Sequence, residues 1–92
     1  MKNFYYRVKA GDTVRSISQT FLVPLKDLIN FNRLNSEVEE GDLLYLTPTD
    51  KPYFVKAKDS IDSLSKEWGE EREELLDRAG FPYLFYGLVI KK

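Results

Sequence analysis

The chain opens with alternating apolar and polar positions and then changes to a helical period. Residues 5–9 alternate and are rich in β-favouring side chains, which predicts a short strand. After a Gly-Asp turn, Val14, Ile17 and Phe21 recur at the spacing of one helical face. Thr13 precedes them and is of a residue type favoured as a helix N-cap. This stretch therefore predicts a strand followed by a helix that begins at Val14.

A second helix and a second strand are predicted next. Pro24 cannot occupy a helix interior, so it ends the first helical region and suits the opening of another. The apolar face of this second helix is formed by Leu25, Leu28 and Ile29. Residues 32–36 leave it as a polar loop, and residues 43–46 follow a Glu-Gly-Asp turn as an apolar strand. The predicted order is strand, helix, helix, strand.

The same order is predicted again in the second half, because the sequence is duplicated at an offset of 47 residues. The identical pairs are Tyr6/Tyr53, Val8/Val55, Lys9/Lys56, Ala10/Ala57, Asp12/Asp59, Ser16/Ser63, Ser18/Ser65 and Leu28/Leu75. Two unrelated helices could share apolar positions, but the repeated Val-Lys-Ala-x-Asp string is not produced by periodicity. We therefore predict an α+β protein of two βααβ modules, residues 4–48 and 53–92, joined by the short linker 49–52.

Composition limits the chemistry that the chain can perform. Its 92 residues are 42% hydrophobic, which is typical of a small globular protein. Cysteine and histidine are both absent. Their absence excludes disulfides, thiolate chemistry, the usual zinc ligand sets and Ser-His or Cys-His nucleophile pairs. We therefore expect no enzyme activity, no cofactor and no metal.

Charge and hydropathy limit the binding partners and the cellular location that we expect for the protein. The formal net charge is -1, with acidic and basic residues interspersed, whereas a nucleic-acid binder usually carries a basic face. No polybasic run indicates a membrane surface, and no segment approaches the ~20 apolar residues that span a bilayer. The N-terminus lacks the apolar stretch of a secretory signal. We expect no nucleic-acid or membrane partner, synthesis in the cytoplasm, and a non-classical route to any wall, spore or phage particle.

Three motifs of the first copy occur in the order of a known family. The string Tyr-Arg-Val-Lys-Ala-Gly-Asp-Thr-Val spans residues 6–14, Asn-x-Leu spans 32–34, and Gly-x-x-Leu spans 41–44. On these motifs, residues 5–48 resemble a LysM domain. The resemblance implies a two-stranded antiparallel sheet with two helices packed on one side. It also implies binding of polymers that contain N-acetylglucosamine, chiefly peptidoglycan and chitin.

The resemblance implies a ligand between the turn before the first helix and the loop after the second. A neutral N-acetyl sugar needs hydrogen-bonding groups at fixed positions and an apolar spot for its acetyl methyl, but no charge or metal. Gly11 would let the backbone approach the sugar closely. The candidate glycan-binding residues are Gly11, Asp12, Thr13 and Val14 from the turn, and Leu34, Asn35 and Ser36 from the loop.

Several of these positions also have a structural explanation. Thr13 can be an N-cap and a ligand contact together, because the cap uses only the hydroxyl. Asp12 is favoured as a cap or dipole partner of the same helix. Asn32 is favoured as a tie between its loop and the backbone, and Leu34 fits the core as well as the site. These alternatives remain open at the level of sequence.

The second copy keeps the scaffold and changes the candidate site. Lys58 replaces Gly11, and Ala79 replaces Asn32. Four aromatic residues follow in the loop: Phe81, Tyr83, Phe85 and Tyr86. They could form another sugar platform, but we favour an interface with the first copy or another chain, because a module of ~45 residues is near the limit of independent stability. We therefore expect one binding site and one supporting module.

Three functions follow from these observations. The leading hypothesis is a non-catalytic binding module for N-acetylglucosamine-containing glycan, mainly through the first copy. The alternative is a structural or assembly protein of the spore-coat or phage-tail type, which the resemblance permits, with LysM-like modules docking onto protein partners. A wall hydrolase is disfavoured, because the chain has no histidine or cysteine and no room for a catalytic domain.

Overall fold

Two βααβ units follow one another along the chain, and the computed structural model describes residues 2–92. The elements are β1 (Phe4–Arg7), α1 (Val14–Phe21), α2 (Leu25–Phe31), β2 (Leu43–Leu46), β3 (Pro52–Phe54), α3 (Ile61–Trp68), α4 (Arg72–Ala79) and β4 (Val89–Lys91). β1 pairs antiparallel with β2, and β3 with β4. The predicted α+β class with two modules is confirmed. Within residues 2–92, every helix is too short or too polar to cross a bilayer.

The first strand ends at Arg7, two residues before its predicted end. Val8 still pairs with the other side of the sheet, since its N–H donates to the Asp42 carbonyl at 2.8 Å. Lys9 instead turns the chain, because its carbonyl accepts the N–H of Asp12 at 3.0 Å. The alternating sequence pattern therefore continues beyond the strand into the turn.

Both modules begin their first helix with the same reciprocal cap. The hydroxyl of Thr13 accepts the N–H of Ser16 at 3.0 Å, and the hydroxyl of Ser16 accepts the N–H of Thr13 at 2.9 Å. Ser60 and Ser63 repeat both hydrogen bonds at the start of α3. Such caps satisfy N–H groups that the start of a helix leaves without an intrahelical partner. The predicted N-cap role of Thr13 is confirmed, and the repeat extends to individual hydrogen bonds.

One apolar core runs through both modules. Leu28 and Leu46 of the first module are fully buried, and they belong to the same cluster as Val55, Leu88 and Ile90 of the second. A module of ~45 residues without disulfides or metal buries little apolar surface by itself. The shared core therefore gives each module the burial that it lacks alone.

The linker is part of this interface. Thr49 is buried, and its N–H donates to the carbonyl of Leu22 at 2.9 Å. The hydroxyl of Thr49 accepts the N–H of Lys51 at 3.2 Å, and the Lys51 carbonyl accepts the N–H of Lys92 at 2.9 Å. The linker is therefore tied to α1 on one side and to the end of β4 on the other.

Polar contacts and one close approach fix how the modules meet. Three side chains of the first module donate to backbone carbonyls of the second: Lys26 to Asp77 at 2.7 Å, Arg15 to Tyr86 at 2.7 Å, and Gln19 to Gly87 at 3.0 Å. At Gly80 an added Cβ would lie 2.7 Å from the Cβ of Lys26, and φ is +82°. Both conditions require glycine, so the second module can approach α2 only with this residue in place.

Candidate functional site

The turn before α1 is held by the carboxylate of Asp12. Its Oδ2 atom accepts the hydroxyl of Tyr6 at 2.6 Å and the N–H of Lys9 at 2.8 Å. These two bonds, the one from Tyr6 foremost, hold the pKa of Asp12 below its usual value, and the same contact raises the pKa of Tyr6. The interpretation of Asp12 as the helix cap is wrong, because Thr13 is the N-cap and Asp12 binds back to the strand and the turn.

Gly11 occupies the one position of this turn that requires a positive φ. Its φ is +87°, and the N–H of Asp12 donates to the carbonyl of Lys9 at 3.0 Å, as in a type II turn. A Cβ at Gly11 would meet no heavy atom within 4 Å. Backbone conformation, rather than space, therefore explains the glycine. Its contact with a sugar stays a prediction.

Asn32 ties the loop after α2 to the sheet. Its side-chain amide donates to the carbonyls of Leu28 at 3.0 Å and Tyr45 at 2.8 Å. Its side-chain oxygen accepts the N–H of Tyr45 at 2.7 Å. With all these groups engaged inside the protein, the favoured structural role of Asn32 is confirmed. The next loop residues, Asn35 and Ser36, are exposed.

Glu37 connects the loop to the start of α1, and the sequence analysis did not identify it. Its Oε1 atom accepts the N–H of Val14 at 2.6 Å and that of Val38 at 3.0 Å. The first turn of α1 has no acidic residue of its own, so a carboxylate from elsewhere is favourable at its N-terminus. The absence of an acidic residue from that first turn was the one sequence feature that could have pointed to this contact. The contact closes one end of the space between the turn and the loop.

A cavity of about 610 Å³ lies beside this contact, open to solvent. Its size is within the range usual for small-molecule sites. The lining residues from the first module are Val14, Arg15, Leu25, Ile29, Leu34, Asn35, Ser36 and Glu37. Of the candidate glycan-binding residues, it brings together Val14, Leu34, Asn35 and Ser36. The other three, Gly11, Asp12 and Thr13, lie in the turn outside the lining. Leu34 also packs against the core, which agrees with its core interpretation, and its contact with a ligand stays a prediction.

The remaining lining of this cavity comes from the second module. Phe81, Tyr83 and Phe85, which we call the aromatic wall, line it together with the loop. Their ring centroids lie 5.6 to 6.4 Å apart, and Phe81 and Phe85 pack against the shared core. Tyr83 is 59% exposed. Tyr86, the fourth aromatic of this loop, is 71% exposed and lines a different cavity beside Gln19.

The two charged side chains of the cavity are both engaged by the protein. Glu37 accepts the two backbone N–H groups described above, and the guanidinium of Arg15 donates to the Tyr86 carbonyl while lying 4.6 Å from the ring centre of Phe85. Within residues 2–92, no group of three or more histidine, cysteine, aspartate or glutamate side chains is placed to hold a metal ion. Beyond these two partly engaged charges, the lining of the cavity is apolar or hydrogen-bonding.

The second module repeats the turn without its glycine. Asp59 accepts the hydroxyl of Tyr53 at 2.5 Å and the N–H of Lys56 at 2.8 Å. Burial, followed by the hydrogen bond to Asp59, raises the pKa of Tyr53 to about 12. Lys58 takes the place of Gly11, and within residues 2–92 it is not among the residues with positive φ. The hydrogen bonds to the carboxylate are thus retained, while the glycine with positive φ is replaced by a lysine without it.

Part of the chain, including the candidate site, matches a known family of domains. Residues 6–46 match the LysM domain family. The match runs from the third residue of β1 to the end of β2, so it includes both the turn and the loop of the candidate site. No curated protein matches the chain.

Two solved structures are similar to the chain. The Bacillus cereus spore cortex-lytic enzyme SleL is 19% identical, with a TM-score of 0.50 over 99% of this chain and 22% of that one. SleL of Bacillus megaterium QM B1551 is 25% identical, with a TM-score of 0.45 over 96% of this chain and 22% of that one. The chain therefore spans about a fifth of the length of these enzymes, and the first likeness shows a shared fold.

Proposed function

We propose that the protein is a non-catalytic binder of glycan that contains N-acetylglucosamine, of the peptidoglycan or chitin type. The sugar would lie in the cavity beside Val14 and Leu34. One observation carries the proposal: the cavity combines apolar walls with the exposed polar side chains of Asn35 and Ser36, inside the LysM-matching part of the chain. An acetamido group needs this pairing of a methyl pocket with hydrogen-bonding groups.

The polar residues of the loop after α2 fall into two groups, and this division supports the proposal. Asn32 and Glu37 make the hydrogen bonds that hold the loop in place. Asn35 and Ser36 lie between them at the cavity edge and are free to bind a ligand. The loop is thus fixed at both ends by other residues. Binding at Asn35 and Ser36 would therefore cost little ordering of the backbone.

We further propose that the second module is a degenerate LysM copy with a supporting role. The repeated capping pair and the Tyr53–Asp59 contact support common descent of the two scaffolds. Lys58 and Ala79 replace the glycine of the turn and the asparagine of the loop. The second module would then contribute the shared core rather than a second independent sugar site.

Catalysis is not part of the proposal. The solved structure that shares this fold is named as an enzyme, but this chain spans 22% of its length. The chain has no histidine or cysteine, so it cannot form a Ser-His or Cys-His nucleophile pair. Incubation with purified peptidoglycan should leave the turbidity of the suspension unchanged, and release of soluble fragments would contradict this part.

Binding can be tested with insoluble polymers and soluble oligomers. The protein should sediment with peptidoglycan or chitin, and N-acetylglucosamine oligomers should shift the amide NMR signals of the loop around Asn35 and Ser36. The double variant Asn35→Ala/Ser36→Ala should weaken binding about tenfold, as expected for two lost hydrogen bonds. Thr20→Ala, an exposed position on α1 outside the cavity, is the matched control and should bind normally. Failure to sediment with either polymer, together with unshifted amides, would reject the proposed function.

A further inference from the structure

The cavity is built by both modules rather than by the LysM-matching module alone. Asn35 and Ser36 of the first module and the aromatic wall of the second module line the same cavity. No linker flexibility separates these two parts of the lining, because the modules share one core. A ligand seated on the loop therefore lies in the same cavity as the aromatic wall of the second module.

The aromatic wall is held rigidly where it faces the cavity. Phe81 and Phe85 meet edge to face, with ring centroids 5.6 Å apart, and both pack on the core. The guanidinium of Arg15 covers Phe85 and anchors the Tyr86 carbonyl. These contacts fix the loop that carries Tyr83. The wall is therefore in place before any ligand arrives, which lowers the entropic cost of binding.

Tyr83 is the ring of the wall that remains accessible. It lies 6.4 Å from Phe81 and 6.1 Å from Phe85, centroid to centroid, yet it is 59% exposed at the cavity. Its two neighbours contact the ring and leave more than half of the residue exposed. An amphipathic ring in this position suits a partner with one apolar and one polar face. A pyranose ring has such faces, since its axial C–H groups are apolar and its hydroxyl and acetamido groups are polar.

A second cavity continues the groove across the module boundary. It has a volume of about 600 Å³ and shares Ile29 and Phe81 with the first cavity. Its other walls come mainly from α2 and α4, with charged or polar side chains at Lys26, Asn30, Glu73 and Asp77. Each cavity alone has the volume of a small-molecule site, so the adjoining pair offers more room than a single sugar needs. The groove therefore fits a chain of several sugars.

We infer that the second module completes the glycan site: Tyr83 stacks on a sugar ring whose polar groups face Asn35 and Ser36, and the adjoining sugars continue past Phe81. This inference rests on the proposed function. It assigns the degenerate module a direct binding role, through its loop rather than through its own turn. It also predicts that affinity rises with the length of the oligomer.

Titration calorimetry with N-acetylglucosamine hexamer and trimer tests the inference. Tyr83→Ala should weaken binding of the hexamer by about fivefold, as expected for one lost stacking contact. Tyr83→Phe should restore binding, because the ring rather than the hydroxyl makes the contact. Tyr86→Ala removes a similarly exposed tyrosine from the same loop but outside the cavity, so it should bind like the unaltered protein. The advantage of the hexamer over the trimer should shrink in Tyr83→Ala.

Each result distinguishes the inference from the function on which it rests. If the unaltered protein binds neither oligomer, the proposed function fails and the inference fails with it. If the protein binds but Tyr83→Ala binds equally well, or Tyr86→Ala loses as much, only the inference is overturned. Thermal unfolding of each variant checks the fold, and both positions are exposed enough that little change is expected. In the unaltered protein, hexamer should shift the amide signals of Tyr83 and Ser36 together.

Discussion

The first module ties its second helix to its sheet through polar groups, whereas the second module packs the same position into the core. Asn32 makes three hydrogen bonds, to Leu28 and twice to Tyr45. Its counterpart Ala79 is 1% exposed and belongs to the shared core. A polar tie leaves the following loop at the surface, where it can meet a ligand. An apolar contact draws the following loop onto the neighbouring module, where it becomes one wall of the cavity.

The turns before α1 and α3 also share their scaffold contacts and differ at the surface. Both modules retain a carboxylate that binds a tyrosine hydroxyl and a lysine N–H. Only the first retains Gly11, at a φ that favours glycine, while Lys58 stands in the second. The two modules therefore share the contacts that hold each scaffold and differ in the residues at its surface. Exchanging residues between the modules tests this division.

The largest effect is expected from Ala79→Asn, which places the amide of the first module into the second. The side chain would enter the shared core without hydrogen-bond partners and without space. Burying an unpaired amide and overpacking the core together should cost roughly 3 kcal/mol of the free energy of unfolding. Denaturant unfolding followed by circular dichroism measures this loss.

Because the core is shared, Ala79→Asn should destabilise both modules in one transition. Ala79→Ser, which adds a smaller polar group at the same place, is the matched control and should lose less. Two separate transitions, with the first module at its original midpoint, would show that the modules are energetically independent.

Asn32→Ala is the reverse exchange and should have the next largest effect. It leaves the N–H and carbonyl of Tyr45 without their partner. The expected cost is about 2 kcal/mol, less than for Ala79→Asn because this site is only half-buried and water can replace part of the bonding. Unfolding by denaturant gives the value, and Asn30→Ala on the exposed face of α2 is the control. A loss below that of Asn30→Ala would mean that the polar tie is unimportant.

The fold could be predicted from the sequence because both copies carry the same local signals. Hydrophobic spacing, the Thr13 cap and Pro24 each determine structure within a few residues of themselves. The two-module cavity could not be predicted in this way. It depends on how the modules face each other, which is set by the shared core and by the close approach of Gly80 to Lys26. Periodicity along the chain carries no information on such an orientation.

Single residues of the candidate site show the same limit of prediction from sequence. Leu34, Asn35 and Ser36 were identified through the family resemblance and line the cavity. Glu37 was missed because its carboxylate acts on Val14, which is remote in sequence. The four aromatic residues were noticed as a group, but their separation into three wall residues and one outside the cavity required coordinates.

The exchange of Gly11 with Lys58 should have a smaller effect on stability. Gly11→Lys places a side chain on a residue with positive φ and should lower the free energy of unfolding by about 1 kcal/mol. No steric clash adds to this loss, because a Cβ at this position would meet no heavy atom within 4 Å. Gly11→Ala carries the same strain without the long side chain and should cost the same. Lys58→Gly should cost about 0.5 kcal/mol through the added freedom of the unfolded chain. Chemical unfolding measures all three, and a loss for Gly11→Lys far above that of Gly11→Ala would reveal a contact made by the long side chain.

At neutral pH the smallest effect concerns the two tyrosines that bind the turn carboxylates. The pKa of Tyr53 is raised to about 12 mainly by burial, while the pKa of Tyr6 is raised mainly by its hydrogen bond to Asp12. A raised pKa means that the folded state favours the protonated hydroxyl. The contribution of Tyr53 to stability is therefore fully present below its ordinary value of 10.0 and is lost as the pH rises to about 12. Tyr53→Phe should flatten the fall in unfolding free energy over this interval.

Substituting the carboxylates should separate the two causes. Asp12→Asn replaces the charged acceptor of the Tyr6 hydroxyl by a neutral one, which weakens the main reason for the shift, so the pKa of that tyrosine should return towards its ordinary value. Asp59→Asn leaves the burial of Tyr53 in place, so its pKa should stay raised. Site-resolved NMR titration of the two tyrosine rings measures both values. An equal return in the two variants would show that hydrogen bonding dominates in both modules. The difference in burial between the otherwise repeated turns would then have no electrostatic consequence.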